Sequence, residues 1–348
     1  MTTFWNTRTG DLKPYVPGEQ PREEDCIKLN TNENPYPPSP TVIEAIGQAA
    51  CATLRLYPDP HCTILREAIA EHYRVKIEQV FAGNGSDEIL SYIFAAFFGR
   101  EPVLVPDITY TFYAALAQLW DVQLKAIPLA PDFSLELADY KKPCGGIIFP
   151  NPNAPTGRSC ALEALRSVAD YQRTTVLVID EAYGPFGSES AVPLCAEYPQ
   201  MLTVHTLSKA YALAGLRVGF AIGSEQLIAG LCRVRDSFNS YTLDRLALAA
   251  ASAALKDQAY YRTVIDRIIK TRERIAPLLR AQGWTVIPSQ SNFLFISHPQ
   301  RRGIEWQRFL REHKILVRHF NMPRISEFLR VTIGTDEQMD RFLDVISP

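Results

Sequence analysis

The stretch TLSKAYALAGLRVGFAIG, residues 206–223, begins where one short apolar strand ends and runs into the next. Met201 to Thr206 reads as the first strand and Val218 to Ile222 as the second. The first delivers Ser208 and Lys209 into a loop, and Arg217 follows eight residues after the lysine, with Gly215 before it. A lysine at the end of a buried strand is desolvated, which lowers its pKa and makes its amine competent to form an imine. Thr206, Ser208 and the planar donor fork of Arg217 suit one phosphate between them. The plainer alternative is a surface lysine beside a helix start.

Outward from this segment, short β-branched runs alternate with helical stripes. Val103 to Val105, Gly146 to Phe149 and Val176 to Asp180 read as further buried strands. Leu162, Leu165, Val168 and Ala169 mark a helix between two of them, and Ile64, Leu65, Ala68, Ile69 and His72 mark an earlier one. Such alternation implies an α/β fold with a mostly parallel sheet between helices. The pattern changes near residue 245, where Asp244 can cap an Ala-rich helix. A long helical run from Tyr261 to Ile275 follows, stopping at Gly283. Strands are expected at Asn292 to Ile296, Ile315 to Arg318 and Phe328 to Ile333, then a last helix with a capping box of Thr335 and Gln338. The expected organisation is a large domain over residues 40–250 and a smaller α+β domain over 251–348. A Pro-rich arm over 1–39 would join the smaller domain.

Bulk properties narrow the function class. A chain of 348 residues with 47% hydrophobic and 21% charged residues is ordinary for a globular protein. A net charge of −2 gives no reason to expect nucleic acid or an acidic membrane as partner. Cys26, Cys51, Cys62, Cys144, Cys160, Cys195 and Cys232 show no Cys-x-x-Cys spacing, so no metal site is expected. Their odd number suits a reducing compartment. The start MTTFWNTRTG lacks a signal-peptide pattern, and the most apolar stretches are too short to span a bilayer. A cytoplasmic protein is expected.

Three more segments carry chemistry. VIDEAY, residues 178–183, ends a buried strand on Asp180, at the edge where ligands of parallel sheets bind. A carboxylate buried there needs a cationic partner, and a protonated pyridine nitrogen would serve. Tyr183 then suits the ring's phenolic oxygen; otherwise Asp180 is a helix cap and Tyr183 packing. AGNGSDEIL, residues 82–90, places Gly83 and Gly85 before a helix starting at Ser86 or Asp87, whose free N–H groups form an anion site. NPNAPTG, residues 151–157, is a rigid loop after the strand GGIIF, able to aim an amide at a ring oxygen or simply to turn the chain.

Together and in this order, the four segments resemble fold-type I pyridoxal-phosphate (PLP) dependent transferases, and in particular the histidinol-phosphate aminotransferase family. The resemblance runs from LNTNENPYPPSP at 29–40 and LYPDP at 56–60 to FLRVTIGTDEQMDRFL at 328–343. It implies pyridoxal 5'-phosphate as cofactor, held as an imine on Lys209, with Asp180 on the pyridine nitrogen and Tyr183 on the ring oxygen. The phosphate would be held by the amides of Ser86, Asp87 and Glu88 and by Thr206, Ser208 and Arg217. Tyr110 would stack on the pyridine ring. Tyr57 would reach the phosphate of a neighbouring subunit, so a homodimer with shared active sites is expected. The family's ring-oxygen asparagine stands directly before Pro-Thr-Gly, where this chain has Ala154. Either Asn153 substitutes or Tyr183 serves alone.

Arg318 and Arg330 lie on expected strands, and alternation turns Arg330 away from Leu329 and Val331. Family members use these positions, with Tyr15 from the arm, for the anionic end of the substrate. The implied reaction exchanges an amino group between glutamate and 2-oxoglutarate on one side and histidinol phosphate and imidazole-acetol phosphate on the other. The phosphorylated amino alcohol belongs to histidine biosynthesis. Rival readings are an aromatic amino-acid aminotransferase, a PLP-dependent decarboxylase of a phosphorylated amino acid, and a binding protein that keeps the fold without catalysis.

Overall fold

The computed structural model describes residues 4–21 and 25–347; residues 1–3 and 22–24 of the expected arm lie outside the described residues. Among the described residues twelve strands are present: β1 (Ile27–Leu29), β2 (Val80–Asn84), β3 (Val103–Pro106), β4 (Leu124–Ile127), β5 (Gly146–Pro150), β6 (Leu177–Asp180), β7 (Met201–Thr206), β8 (Val218–Gly223), β9 (Thr285–Ile287), β10 (Phe293–Ser297), β11 (Ile315–His319) and β12 (Phe328–Thr332).

Seven of them form one sheet in the order β2-β8-β7-β6-β5-β3-β4. β4, β3, β5, β6 and β7 run parallel, while β8 is antiparallel to both β7 and β2. The sheet is therefore mostly parallel and sandwiched, as the apolar runs require. Alternate side chains feed separate cores: Ile148, Val178 and Leu202 pack on one face, and Ile147, Leu177 and Met201 on the other. Each such buried side chain contributes about 1.5–3 kcal/mol. Register sets Pro150 opposite Asp180 and Asp180 opposite Val204, so the loops after β5, β6 and β7 leave one edge side by side.

The second sheet has the order β1-β11-β12-β10-β9. β1, from the N-terminal segment, pairs in parallel with β11, and the other pairings are antiparallel. The expected division at 250/251 falls inside the helix Arg245–Lys256, whose start Asp244 caps through two backbone N–H groups. The chain after β1 is tied to both sheets. Asn32 bonds Thr332 of β12, and the Asn34 amide donates to the carbonyls of Lys209 and Ala210.

Candidate active site

A cavity of about 310 Å³ opens where the loops after β5, β6 and β7 meet the helix Gly85–Phe97, β11, β12 and the N-terminal segment. Tyr15, Ser86, Asp87, Tyr110, Asp180, Tyr183, Thr206, Ser208, Lys209, Arg217, Arg318 and Arg330 all face it. Glu88, Asn153 and Tyr57 do not.

Asp180 is 3% exposed, and its carboxylate accepts from the Tyr113 hydroxyl at 2.9 Å and the Ala182 N–H at 3.1 Å. Burial pushes its pKa up to about 6 against those two bonds. It has no cationic side-chain partner among the described residues. Lys209 Nζ donates to the Thr31 carbonyl at 3.0 Å. Burial, with Arg330 nearby, lowers its pKa to about 8, and Glu33 and Asp87 act in the opposite direction. A neutral amine is thus accessible near physiological pH.

The anion end of the site is a helix start. The helix after GNG begins at Gly85, one or two residues before the expected start at Ser86 or Asp87. Gly85 has φ +77°, and a Cβ there would lie 2.6 Å from Arg217 Nη2, so only glycine lets the guanidinium reach this corner. At Gly219, a Cβ would lie 2.5 Å from the Ser86 amide nitrogen. Two glycines therefore clear both sides of the anion site. Arg217 pairs with Asp87 at 3.2 Å, and Asp87 also accepts from the Tyr110 hydroxyl at 2.9 Å. Thr206 Oγ1 accepts the Ser208 N–H at 3.1 Å, fixing the turn before Lys209. Ser208 Oγ is buried without a hydrogen-bond partner.

At the other end, Arg318 and Arg330 are register partners across β11 and β12. Like charges placed opposite each other destabilise a sheet, so the pair calls for an anion between them. Arg330 bonds the Asn30 carbonyl at 3.0 Å and lies against Phe293 and Phe320, with its Nε buried and unbonded. Burial, with Arg318 acting the same way, lowers its pKa. Arg318 bonds the Val16 carbonyl at 3.1 Å. Tyr15 packs edge-on against Tyr110 and Phe112 and closes this end.

The donor set fits pyridoxal phosphate: an uncompensated buried carboxylate for a ring nitrogen, an amine at the centre, and a free hydroxyl, a helix start and a guanidinium for a phosphate.

Three expected residues do not line the cavity. Glu88, expected to act through its backbone amide, stands in the first turn of the helix, and its side chain accepts the Asn84 N–H at 2.6 Å and the Thr242 hydroxyl. Asn153 is buried behind the wall. Its amide donates to the Ile108 carbonyl and to Thr156, both at 3.0 Å, and Ala154 takes the cavity-facing position. Tyr57 is 77% exposed on the outer surface, stacked on Tyr241.

The structure adds Asn30, Thr31 and Glu33 to the cavity. Burial opposes ionisation of Glu33, but Lys28 and Thr31 bond its carboxylate and hold its pKa below the usual range. Tyr113, the partner of Asp180, lies in the first turn of the helix Phe112–Trp120 and carries no signal of its role in the sequence. Among the described residues no group of three metal-ligating side chains occurs.

The family model for aminotransferase class I and II matches residues 24–346. Histidinol-phosphate aminotransferase of Clostridium acetobutylicum is 51% identical over 99% of this chain and 99% of its own. Histidinol-phosphate aminotransferase 2 of Dechloromonas aromatica is 50% identical over 99% of each chain. Among solved structures, histidinol-phosphate aminotransferase of Sinorhizobium meliloti, in complex with pyridoxal-5'-phosphate, covers 99% of this chain and 96% of its own. Its TM-score is 0.87 and its identity 25%.

Proposed function

Because the chain belongs to the aminotransferase class I and II family, we propose that it exchanges an amino group between glutamate and imidazole-acetol phosphate, giving 2-oxoglutarate and histidinol phosphate. The names of relatives about half identical over nearly the full length support this substrate pair. The observation that carries it is the facing pair Arg318 and Arg330 in the same cavity as Lys209. One guanidinium pair accepts a phosphate in one half-reaction and a carboxylate in the other. The two half-reactions cancel in oxidation state, so no external oxidant or reductant is needed.

Pyridoxal phosphate, when bound, supplies an aldehyde for the substrate amine and a ring that accepts the electron pair released at the α-carbon. The chain's residues do the rest. Lys209 Nζ takes the α-proton as general base. Asp180 holds the ring nitrogen's proton in place. Tyr183 donates to the ring oxygen, and Tyr110 covers the ring face. The amides of Ser86 and Asp87, with Thr206, Ser208 and Arg217, hold the cofactor phosphate. Arg318 and Arg330 fix the far end of the substrate so that the bond to be broken points at Lys209.

The working form in this reading is a homodimer. Tyr57 is the residue offered to the partner's phosphate, and the exposed Leu54, Leu56, Ile64 and Tyr241 near it suit burial against a second copy. No helix among the described residues is long and apolar enough to cross a membrane. Cys51, Cys62, Cys144, Cys160, Cys195 and Cys232 are free thiols, in keeping with a cytoplasmic setting.

The test is a panel assay with glutamate as donor. Imidazole-acetol phosphate should be converted with much higher kcat/KM than phenylpyruvate, with no CO2 released. A preference for phenylpyruvate would favour the aromatic aminotransferase reading, and CO2 release would favour the decarboxylase. Lys209→Ala should abolish turnover and the visible absorbance of the bound cofactor.

A further inference from the structure

Ala154 offers only a methyl group where the resemblance leads one to expect an amide for the ring oxygen, and the Asn153 amide is committed to Ile108 and Thr156. That leaves the Tyr183 hydroxyl, and its immediate surroundings are unusual. Asn32 Nδ2 donates to the Tyr183 oxygen at 2.9 Å. Asn32 Oδ1 accepts from the Thr332 hydroxyl at 3.0 Å, and Thr332 Oγ1 in turn accepts the Asn32 N–H at 3.0 Å. The backbone N–H can only donate, so the single hydroxyl hydrogen of Thr332 goes to Asn32 Oδ1, and this fixes which end of the amide faces Tyr183. Asn292 Nδ2 holds the Asn32 carbonyl at 3.0 Å. Asn32 is 1% exposed and has φ +58°, a backbone position that asparagine tolerates better than most residues.

We propose that Asn32, held by Thr332, is a positioning residue that occupies a lone pair of the Tyr183 oxygen and so directs the Tyr183 proton into the cavity, onto the cofactor's ring oxygen. No second hydrogen bond to the Tyr183 hydroxyl exists among the described residues, so its proton has no protein acceptor. Donation to a phenol oxygen also makes its own proton a stronger donor, as chains of hydrogen bonds polarise one another. The relay replaces a second donor to the ring oxygen with a better-directed first one. The titratable groups facing the hydroxyl from the packed elements are Arg330 on β12, Asp180 on β6, Tyr113 on the helix Phe112–Trp120, and Tyr15 and Tyr110 on the cavity wall. Burial raises the Tyr183 pKa, while Arg330 and the Asn32 bond oppose the rise. This inference rests on the cofactor reading above.

The experiment is a pH titration of the bound cofactor's visible absorbance in the holoenzyme. Donors to the ring oxygen stabilise the chromophore after it has lost its proton, when that oxygen carries more negative charge. Losing a donor therefore raises the transition pH. Asn32→Gly keeps the left-handed backbone and deletes the amide; it should raise the midpoint by about 0.5–1 unit. Tyr183→Phe should raise it at least as much. The double variant should match Tyr183→Phe alone, because Asn32 acts only through that hydroxyl. Thr332→Val, which keeps Asn32 but frees it, should give a smaller rise in the same direction and stands in if Asn32→Gly does not fold. An unchanged midpoint in the Asn32 and Thr332 variants, or a full additional shift on the Tyr183→Phe background, would overturn the relay while leaving the cofactor reading intact. A wild-type protein that stays colourless with excess pyridoxal phosphate would overturn both.

Discussion

The Lys209 amine, lowered to about 8 by burial beside Arg330, is charged below that pH and neutral above it. Only the neutral amine attacks an aldehyde. Cofactor-free protein should therefore take up pyridoxal phosphate faster as pH rises towards 8 and level off above it, as followed by stopped-flow absorbance. A rate that climbs to pH 10 would mean an unperturbed lysine. Arg330→Gln should raise KM for the phosphorylated substrate about tenfold or more through loss of a charge-assisted bond. The melting temperature should hold or rise, because a like charge opposite Arg318 is removed. These residues were legible in the sequence because strand ends announce them: Asp180 closes an apolar run, and Lys209 follows one. Asn32, Thr31 and Tyr113 were not legible, since each acts through a contact with a residue distant in sequence, from 67 to 300 positions away. The choice between Asn153 and Tyr183 alone for the ring oxygen stayed open in the sequence for a related reason. Composition marks a rigid loop but not which of two adjacent side chains faces the cavity.

At the level of elements, the anion site depends on the turn that opens the helix Gly85–Phe97. Gly85→Ala would force a side chain into a left-handed backbone and against Arg217, at a cost of about 1–2 kcal/mol from the backbone alone. Cofactor affinity should fall more than the melting temperature, because the displaced guanidinium is the proposed phosphate ligand. Equal losses by equilibrium dialysis and calorimetry would assign Gly85 a purely structural part. The inner parallel strands β3, β5, β6 and β7 were readable as apolar runs, whereas β1, β2, β4 and β9 were not read. β1 and β9 have three residues each, too few for a period. β2 contains a glycine and ends in an exposed asparagine, and β4 is an edge strand with two exposed residues.

For the whole molecule, the exposed Tyr57 predicts function shared between subunits. Tyr57→Phe should weaken cofactor binding about tenfold or more without changing the absorbance maximum, the signature of a lost phosphate contact rather than a disturbed ring. Sedimentation should show a dimer for both proteins; a fully active monomer would refute the shared site. The arginines of β11 and β12 have a reach beyond substrate choice. Two arginines on neighbouring strands that line one cavity suit any small oxyanion that fits, and occupancy of the folded form alone raises stability with concentration. Buffer composition is then itself a variable. In phosphate or sulfate the protein should melt higher and turn over more slowly, and in a buffer of bulky zwitterions it should do the reverse.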